Sequence, residues 1–406
     1  MKLVSYSRSM HYDPFASDIV SDPYPVYEWL REEHPVYYAG PSESFVLTRY
    51  DDVTWALGDT DLFSSDAMRG VLMGQPTGKG EERLPRDTPG GSLVSFDPPA
   101  HSELRKVVNR GFTPRRINAW DNRIAEIVQE LMADAPEDLD VVERIAAPLP
   151  VQVITELLGA DSSHARQFRT WADATTKMMS GSARNGDVDP AGLTAAMELV
   201  MYLTEYIEAR SEDPGDDLIG TLLRARDDEV LSSAETVAFA GLLLFAGTET
   251  TTNLIGNAVW ALDAHRDDLE AVIADETLLP GVIEETLRWE SPVQYVFRRA
   301  TRPFALHGTD VPVDSWITLL IGAANRDPRR FGPDADAFDP RREAAGHVAF
   351  GFGPHFCLGA ALARSETMTA LEAVLPLVAS ARTVDGGGEL IDSMQFRGRQ
   401  SLRLVS

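Results

Sequence analysis

Phe350-Gly351-Phe352-Gly353-Pro354-His355-Phe356-Cys357-Leu358-Gly359 is the stretch on which the reading of this chain turns. It contains the only cysteine of the 406 residues. An apolar-periodic run follows, Ala360–Leu375, and predicts a helix that Pro376 should end. Cys357 therefore belongs at a loop-to-helix junction. Amides at a helix start lack partners, and the helix dipole favours an anion there. Such surroundings lower a thiol pKa, and a thiolate so placed is a good iron ligand. The glycines permit tight turns and close approach to a flat cofactor, and Pro354 stiffens the turn. A lone cysteine is ordinarily a small buried hydrophobe, a role that needs none of this context. It cannot form an internal disulfide, which fits a reducing cytoplasm.

Outward from this loop the pattern is mainly α with a smaller β region. Short β-forming segments come early, Val36–Ala39 and Phe45–Thr48. Residues 66–96 are polar and rich in Gly and Pro, suggesting a mobile lid. Helical spacing covers Ile117–Asp134, Val151–Leu158 and Ala191–Ser211, with a β-like stretch at Leu139–Arg144 and the breakers Pro148 and Pro150 between the first two. Ser232–His265 predicts one helix of about 50 Å, capped by Ser232 or Ser233 and apolar on all sides in its middle. Phe304–Leu306 and Ser315–Ile321 read as strands, and the last 14 residues as a hairpin around Gly398. No linker or repeat divides the chain, so one domain over residues 1–406 is expected.

The net charge of -26 excludes a general nucleic-acid binder, which needs a basic footprint. The longest markedly apolar stretch, Val237–Gly247, is 11 residues, too short for a membrane span of about 20. A cytoplasmic monomer is expected.

Four further motifs accompany the cysteine loop. Glu285-Thr286-Leu287-Arg288 places an acid and a base on one helix face. Asp97-Pro98-Pro99-Ala100-His101 leads to Arg105, and a residue and its fourth successor share a helix face. Arg298-Arg299-Ala300-Thr301 lies ten residues before Gly308. Ala246-Gly247-Thr248-Glu249-Thr250-Thr251 sits in the long helix, where small residues leave room and a hydroxyl can bend the helix.

Together these motifs resemble the cytochrome P450 family. The haem signature F-x-x-G-x-x-x-C-x-G is matched by Phe350, Gly353, Cys357 and Gly359. The resemblance spans almost the whole chain, from DPYPVY at residues 22–27 to the terminal strands. It implies a soluble bacterial-type monooxygenase whose haem b iron is ligated by Cys357. It implies that His101, Arg105, Arg298 (or its neighbour Arg299) and His355 hold the haem propionates, with His347 either joining them or fixing the loop. Glu285 and Arg288 would form a buried network with a later arginine, for which Arg329, Arg330 and Arg341 are candidates. Thr250 and Glu249 would be the alcohol and acid that deliver protons for oxygen activation. Leu242, Phe245, Ala246, Val293, Gln294 and Phe396 would line a substrate pocket suited to a mid-sized, largely apolar molecule. With one cysteine no internal iron–sulfur cluster is possible, so the iron needs an external electron donor, and the resemblance implies a ferredoxin with its reductase. Arg105, Lys106, Arg110, Arg115 and Arg116 are the candidate docking patch. The alternatives are a peroxide-driven P450, which typically departs from the acid–alcohol pair, and a non-catalytic haem-binding or recruitment module, which can lack the Cys or the pair.

Overall fold

Ser232 sets the start of the longest helix. Its hydroxyl accepts the Glu235 amide at 3.1 Å while the Glu235 carboxylate accepts the Ser232 amide at 2.8 Å, so two helix-end donors are satisfied reciprocally. The structure, a computed structural model, describes residues 11–66, 91–136, 138–185, 189–228, 230–384 and 387–406. In chain order the helices that position the site are α1 (Tyr24–Glu33), α2 (Tyr50–Gly58), α3 (Ala100–Val108), α4 (Pro114–Asn118), α5 (Asp121–Met132), α6 (Pro148–Leu157), α7 (Ala165–Asn185), α8 (Pro190–Ala209), α9 (Ser233–Ala264), α10 (Leu279–Trp289) and α11 (Ala360–Ser380). The 32 residues of α9 span about 48 Å. Phe239, Leu244, Leu254, Ile255, Val259 and Leu262 on it are buried in the main core, against which α6, α8, α10 and α11 also pack.

A five-stranded sheet lies to one side, in the order β1 (Val36–Ala39), β2 (Ser44–Leu47), β8 (Trp316–Leu320), β5 (Tyr295–Ala300), β3 (Phe63–Ser64). Only the β2–β8 pair is parallel. A hairpin of β6 (Phe304–Leu306) and β7 (Thr309–Val311) stands apart. No helix among the described residues is long and apolar enough to cross a membrane.

Several expectations are corrected. The predicted helix Ile117–Asp134 is broken into α4 and α5. The β-like stretch at Leu139–Arg144 is a strand only at β4 (Leu139–Asp140). Asp140 Oδ1 then accepts the Val142 and Glu143 amides and turns the chain into a π-helical turn, Val142–Ala146. Pro148 opens α6 rather than preceding it, because a proline in the first turn sacrifices no intrahelical bond. Pro376 does not end α11. Leu371, Val374, Leu375 and Val378 are buried on both sides of it, and this packing carries the helix on to Ser380. The terminal strands are not one hairpin. β11 (Arg399–Ser401) pairs with β10 (Glu389–Leu390), while β12 (Arg403–Val405) lies between β4 and β9 (Arg382–Thr383). Most of the expected lid, residues 67–90, lies outside the described residues.

Candidate active site

The cysteine loop is held by backbone. The Cys357 amide donates to the Phe350 carbonyl at 2.8 Å. Gly351 and Gly353 have φ of 72° and 71°, a region that penalises any Cβ. A Cβ on Gly353 would also press on Gly58 Cα at 3.1 Å, so the glycine lets the loop seat on α2. The Gly359 and Ala360 amides hydrogen-bond the Cys357 sulfur, and the charges of Arg105 and Arg364 reach it. Burial nevertheless outweighs these groups and pushes the thiol up. The expected lowering is thus reversed in the protein's own groups, because burial wins, and a cation at the sulfur would tip the balance back.

His347 falls on the loop-fixing side of the two roles left open. Its Nε2 lies 3.2 Å from Glu284 Oε2, and its Nδ1 accepts the Ala349 amide at 3.2 Å. Glu284 also takes two hydrogen bonds from Arg364, whose guanidinium stacks 4.6 Å from the Phe350 ring centroid. These contacts pull the Glu284 carboxyl down to about 2, against its burial. Glu284 and Arg364 escaped the sequence reading; their adjacency to Glu285 and position on the cysteine helix were the available signals.

On the other side of the loop, basic side chains gather. His101, on α3, is 2% exposed and neither ring nitrogen has a hydrogen-bond partner. Its ring lies 4.1 Å from that of His355, and His355 Nε2 is 3.3 Å from Ser65 Oγ. Arg298, on β5, is buried with Nε unpartnered, its one hydrogen bond running from NH1 to the Phe297 carbonyl. Burial, then the charges of Arg105 and Arg298, lower His101 to about 4. Burial lowers Arg298 to about 10, against the pull of Asp97. Arg299 points to the opposite strand face, 3.5 Å from Asp314. The sequence reading missed Asp97, which accepts the Ser65 amide at 2.8 Å and the Ser64 hydroxyl, tying β3 to the start of α3. A buried cluster of basic side chains, one guanidinium and two imidazoles kept neutral by burial, with orphaned polar atoms suits an outside pair of carboxylates. Gly359, with open space where a Cβ would stand, leaves room beside Cys357 for a flat ring system.

Glu285 and Arg288 form a bidentate pair, both bonds 2.7 Å, fully buried. Their third member is none of the three candidates. Arg342 Nε reaches Glu285 at 3.2 Å, whereas Arg329 pairs with Glu32, Arg330 with the Ala345 carbonyl and Arg341 with Asp268. Asp339 Oδ1 accepts the Arg341 amide in the turn after Pro340, which sends Arg341 outward and Arg342 in.

The central helix α9 carries the acid–alcohol segment. Thr248, Glu249, Thr252 and Asn253 line a cavity of about 610 Å³ shared with α7 (Arg169, Asp173). Glu249 Oε1 accepts Asn253 Nδ2 at 3.2 Å, and burial, then the charge of Asp173, raises its pKa. Thr250 lies about 100° around the helix from Glu249. Its hydroxyl donates to the Ala246 carbonyl at 2.8 Å. The helix stays regular through this segment, so the room comes from small side chains and not from local widening. Phe245 lies 6.2 Å from Phe396 between ring centroids, and Phe396 bridges Val293. Leu242 is half-buried against the core. Gln294 departs from the expected pocket role. It is 3% exposed, donates to the Ser291 carbonyl and packs its amide on Gly322, where no Cβ would fit.

The basic cluster divides. Lys106, Arg110, Arg115 and Arg116 are exposed, while Arg105 is half-buried and its charge acts on Cys357 and His101. Phe352 and Phe356 of the cysteine loop are exposed as well.

The cytochrome P450 family model matches residues 191–376. The chain is 38% identical over 398 residues to the cytochrome P450 monooxygenase PikC of Streptomyces venezuelae, covering 95% of this chain and 91% of that one. It is 36% identical over 362 residues to 6-deoxyerythronolide B hydroxylase of Saccharopolyspora erythraea, covering 87% and 88%. It superposes on the cytochrome P450 CYP109Q5 from Chondromyces apiculatus with a TM-score of 0.84, at 34% identity and 97% coverage of both chains. Likeness of this extent, to relatives whose cofactor is a cysteine-ligated haem, accounts for the single cysteine in its loop: the chain belongs to the cytochrome P450 family and is a monooxygenase.

Proposed function

We propose that this monooxygenase hydroxylates a mid-sized, largely apolar secondary-metabolite scaffold with electrons from a ferredoxin. The observation that carries the substrate class is the apolar wall of Phe245, Val293 and Phe396, in which the Phe245 and Phe396 rings meet and Phe396 bridges Val293. The relative that hydroxylates 6-deoxyerythronolide B points to the same class.

Cys357 would ligate the haem iron, and His101, Arg105, Arg298 and His355 would hold its propionates. Haem, once bound, would supply the activation of dioxygen, one atom of which is inserted into the substrate and the other leaves as water. The chain's own residues manage protons and water. Glu249, shifted by burial toward its protonated form, would hold a proton at its carboxyl on the cavity side. Thr250 Oγ1 would pass that proton into the space beside Ala246, exchanging its bond to the Ala246 carbonyl as it turns. Retention of this acid–alcohol pair supports electron-driven over peroxide-driven turnover. The exposed Lys106, Arg110, Arg115 and Arg116 would receive the acidic donor.

The test is turnover of scaffolds selected by a spin-state shift, run with ferredoxin, reductase and isotope-labelled dioxygen. One labelled oxygen atom in the product is expected. Product formed at full rate from hydrogen peroxide, with none from the ferredoxin system, would move the assignment to the peroxide-driven class.

A further inference from the structure

Asn257 lies two turns beyond Thr250 on the same face of α9, and it is fully buried. Its Nδ2 donates to the carbonyls of Glu290 (3.0 Å) and Arg397 (2.9 Å), and its Oδ1 accepts from Arg399 (2.7 Å). Glu290, also buried, accepts from Arg397 Nε at 2.6 Å and from the Tyr24 hydroxyl at 2.8 Å. Arg397 also donates from its two terminal nitrogens to the carbonyls of Val20 and Ser21, both at 3.2 Å. Two remote segments, residues 20–24 and 290–294, and the central helix thus converge on one turn, residues 391–398. That turn carries Phe396 on the residue before Arg397. Two backbone bonds tie it to the chain after α10, Arg397 N to the Pro292 carbonyl (2.9 Å) and Gln294 N to the Gln395 carbonyl (2.8 Å).

Buried ion pairs give no more stability than well-packed apolar groups would. A fully satisfied polar network does impose one geometry. The geometry imposed here is the position of Phe396 against Phe245.

We propose that Asn257, Glu290 and Arg397 are positioning residues for the Phe396 wall, and that through it they set the bulk of ligand admitted over the haem. This rests on the reading of Phe396 as a wall of the substrate pocket.

The test compares two iron-binding probes on the holoenzyme, imidazole and 4-phenylimidazole, by Soret titration. Asn257→Asp is isosteric, keeps the Arg399 contact, and turns two donors into an acceptor facing the Glu290 and Arg397 carbonyls. It should change the ratio of the two dissociation constants by about five-fold or more, a shift of the size pocket contacts produce. The imidazole affinity and the carbon monoxide band should be unchanged. Tyr24→Phe removes one donor at the rim of the network and should move the ratio the same way by about two-fold. Phe396→Ala is the reference. If Phe396→Ala moves the ratio and neither other variant does, the positioning role is refuted. If Phe396→Ala leaves the ratio unchanged, the wall reading beneath the proposal fails. Parallel weakening of both probes with loss of the carbon monoxide band would show a merely structural role. Should Asn257→Asp not fold, Tyr24→Phe decides.

Discussion

Arg288 and Arg298 are ten residues apart, both buried, and the chain treats them in opposite ways. Arg288 makes hydrogen bonds to both Glu285 oxygens and to the carbonyls of Asn325, Ala335 and Ala337. Arg298 has one hydrogen bond and an orphaned Nε, and His101 beside it has none. The first arginine is finished by the protein. The second is left open by the protein, as its proposed role toward a haem propionate requires. A polar cluster that is structural closes on itself, and one that serves a ligand is left open toward it.

Truncation is the sharpest way to break this contrast. Arg288→Ala strips the buried Glu285 of its bidentate partner, leaving Arg342 as its one cation, and should cost about 3–5 kcal/mol, read as loss of soluble haem-free protein or a large fall in denaturation midpoint. An Arg288→Ala chain as stable as the parent would make its network dispensable.

Glu366 is a third case, an acid on α11 that burial alone pushes up to about 8, with Oε2 unpartnered. Its folded pKa lies above the unfolded value, so the native state holds the extra proton. Stability is therefore greatest below the unfolded carboxyl range and falls as pH rises toward 8, by about 1.4 kcal/mol per pH unit from this group. Glu366→Gln should flatten that slope in denaturation curves between pH 6 and about 8. An unchanged slope would mean that Glu366 is ionised in the folded protein.

Arg298→Leu should act with opposite sign on the two forms. Haem-free protein should keep its stability or gain about 1 kcal/mol, because an unsatisfied buried donor is removed. Haem transfer to apomyoglobin should quicken about ten- to a hundred-fold through loss of charge-assisted bonds. A large loss of haem-free stability would place Arg298 with Arg288. The smallest effect separates neighbours. Arg341→Ala, removing an exposed pair with Asp268, should change stability by about 0.5 kcal/mol or less. Arg342→Ala should cost about 1–3 kcal/mol.

That last pair shows where sequence stops. The cysteine loop was legible because glycine, proline and cysteine each answer a local backbone demand. The central helix was legible because its cap is built from residues three apart. Which arginine turns inward after Pro340 depends on one Asp339 side-chain bond, and spacing carries no trace of it. Pro376 was misjudged because a local breaker yields when core packing flanks it. The roles of His347 and Gln294 also depended on remote partners, Glu284 and Gly322, that lie 63 and 28 positions away in the sequence.

The adjacency of Glu249 and Thr250 has a consequence for electron economy. Glu249 opens on a charged cavity, while the neighbouring Thr250 hydroxyl is held by the Ala246 carbonyl. In the proposed relay a proton would pass between the two side chains without any water molecule following it. Coupling efficiency would then rest on that short transfer: donor molecules oxidised per hydroxyl group made should rise in Thr250→Ala, where solvent must carry the proton instead.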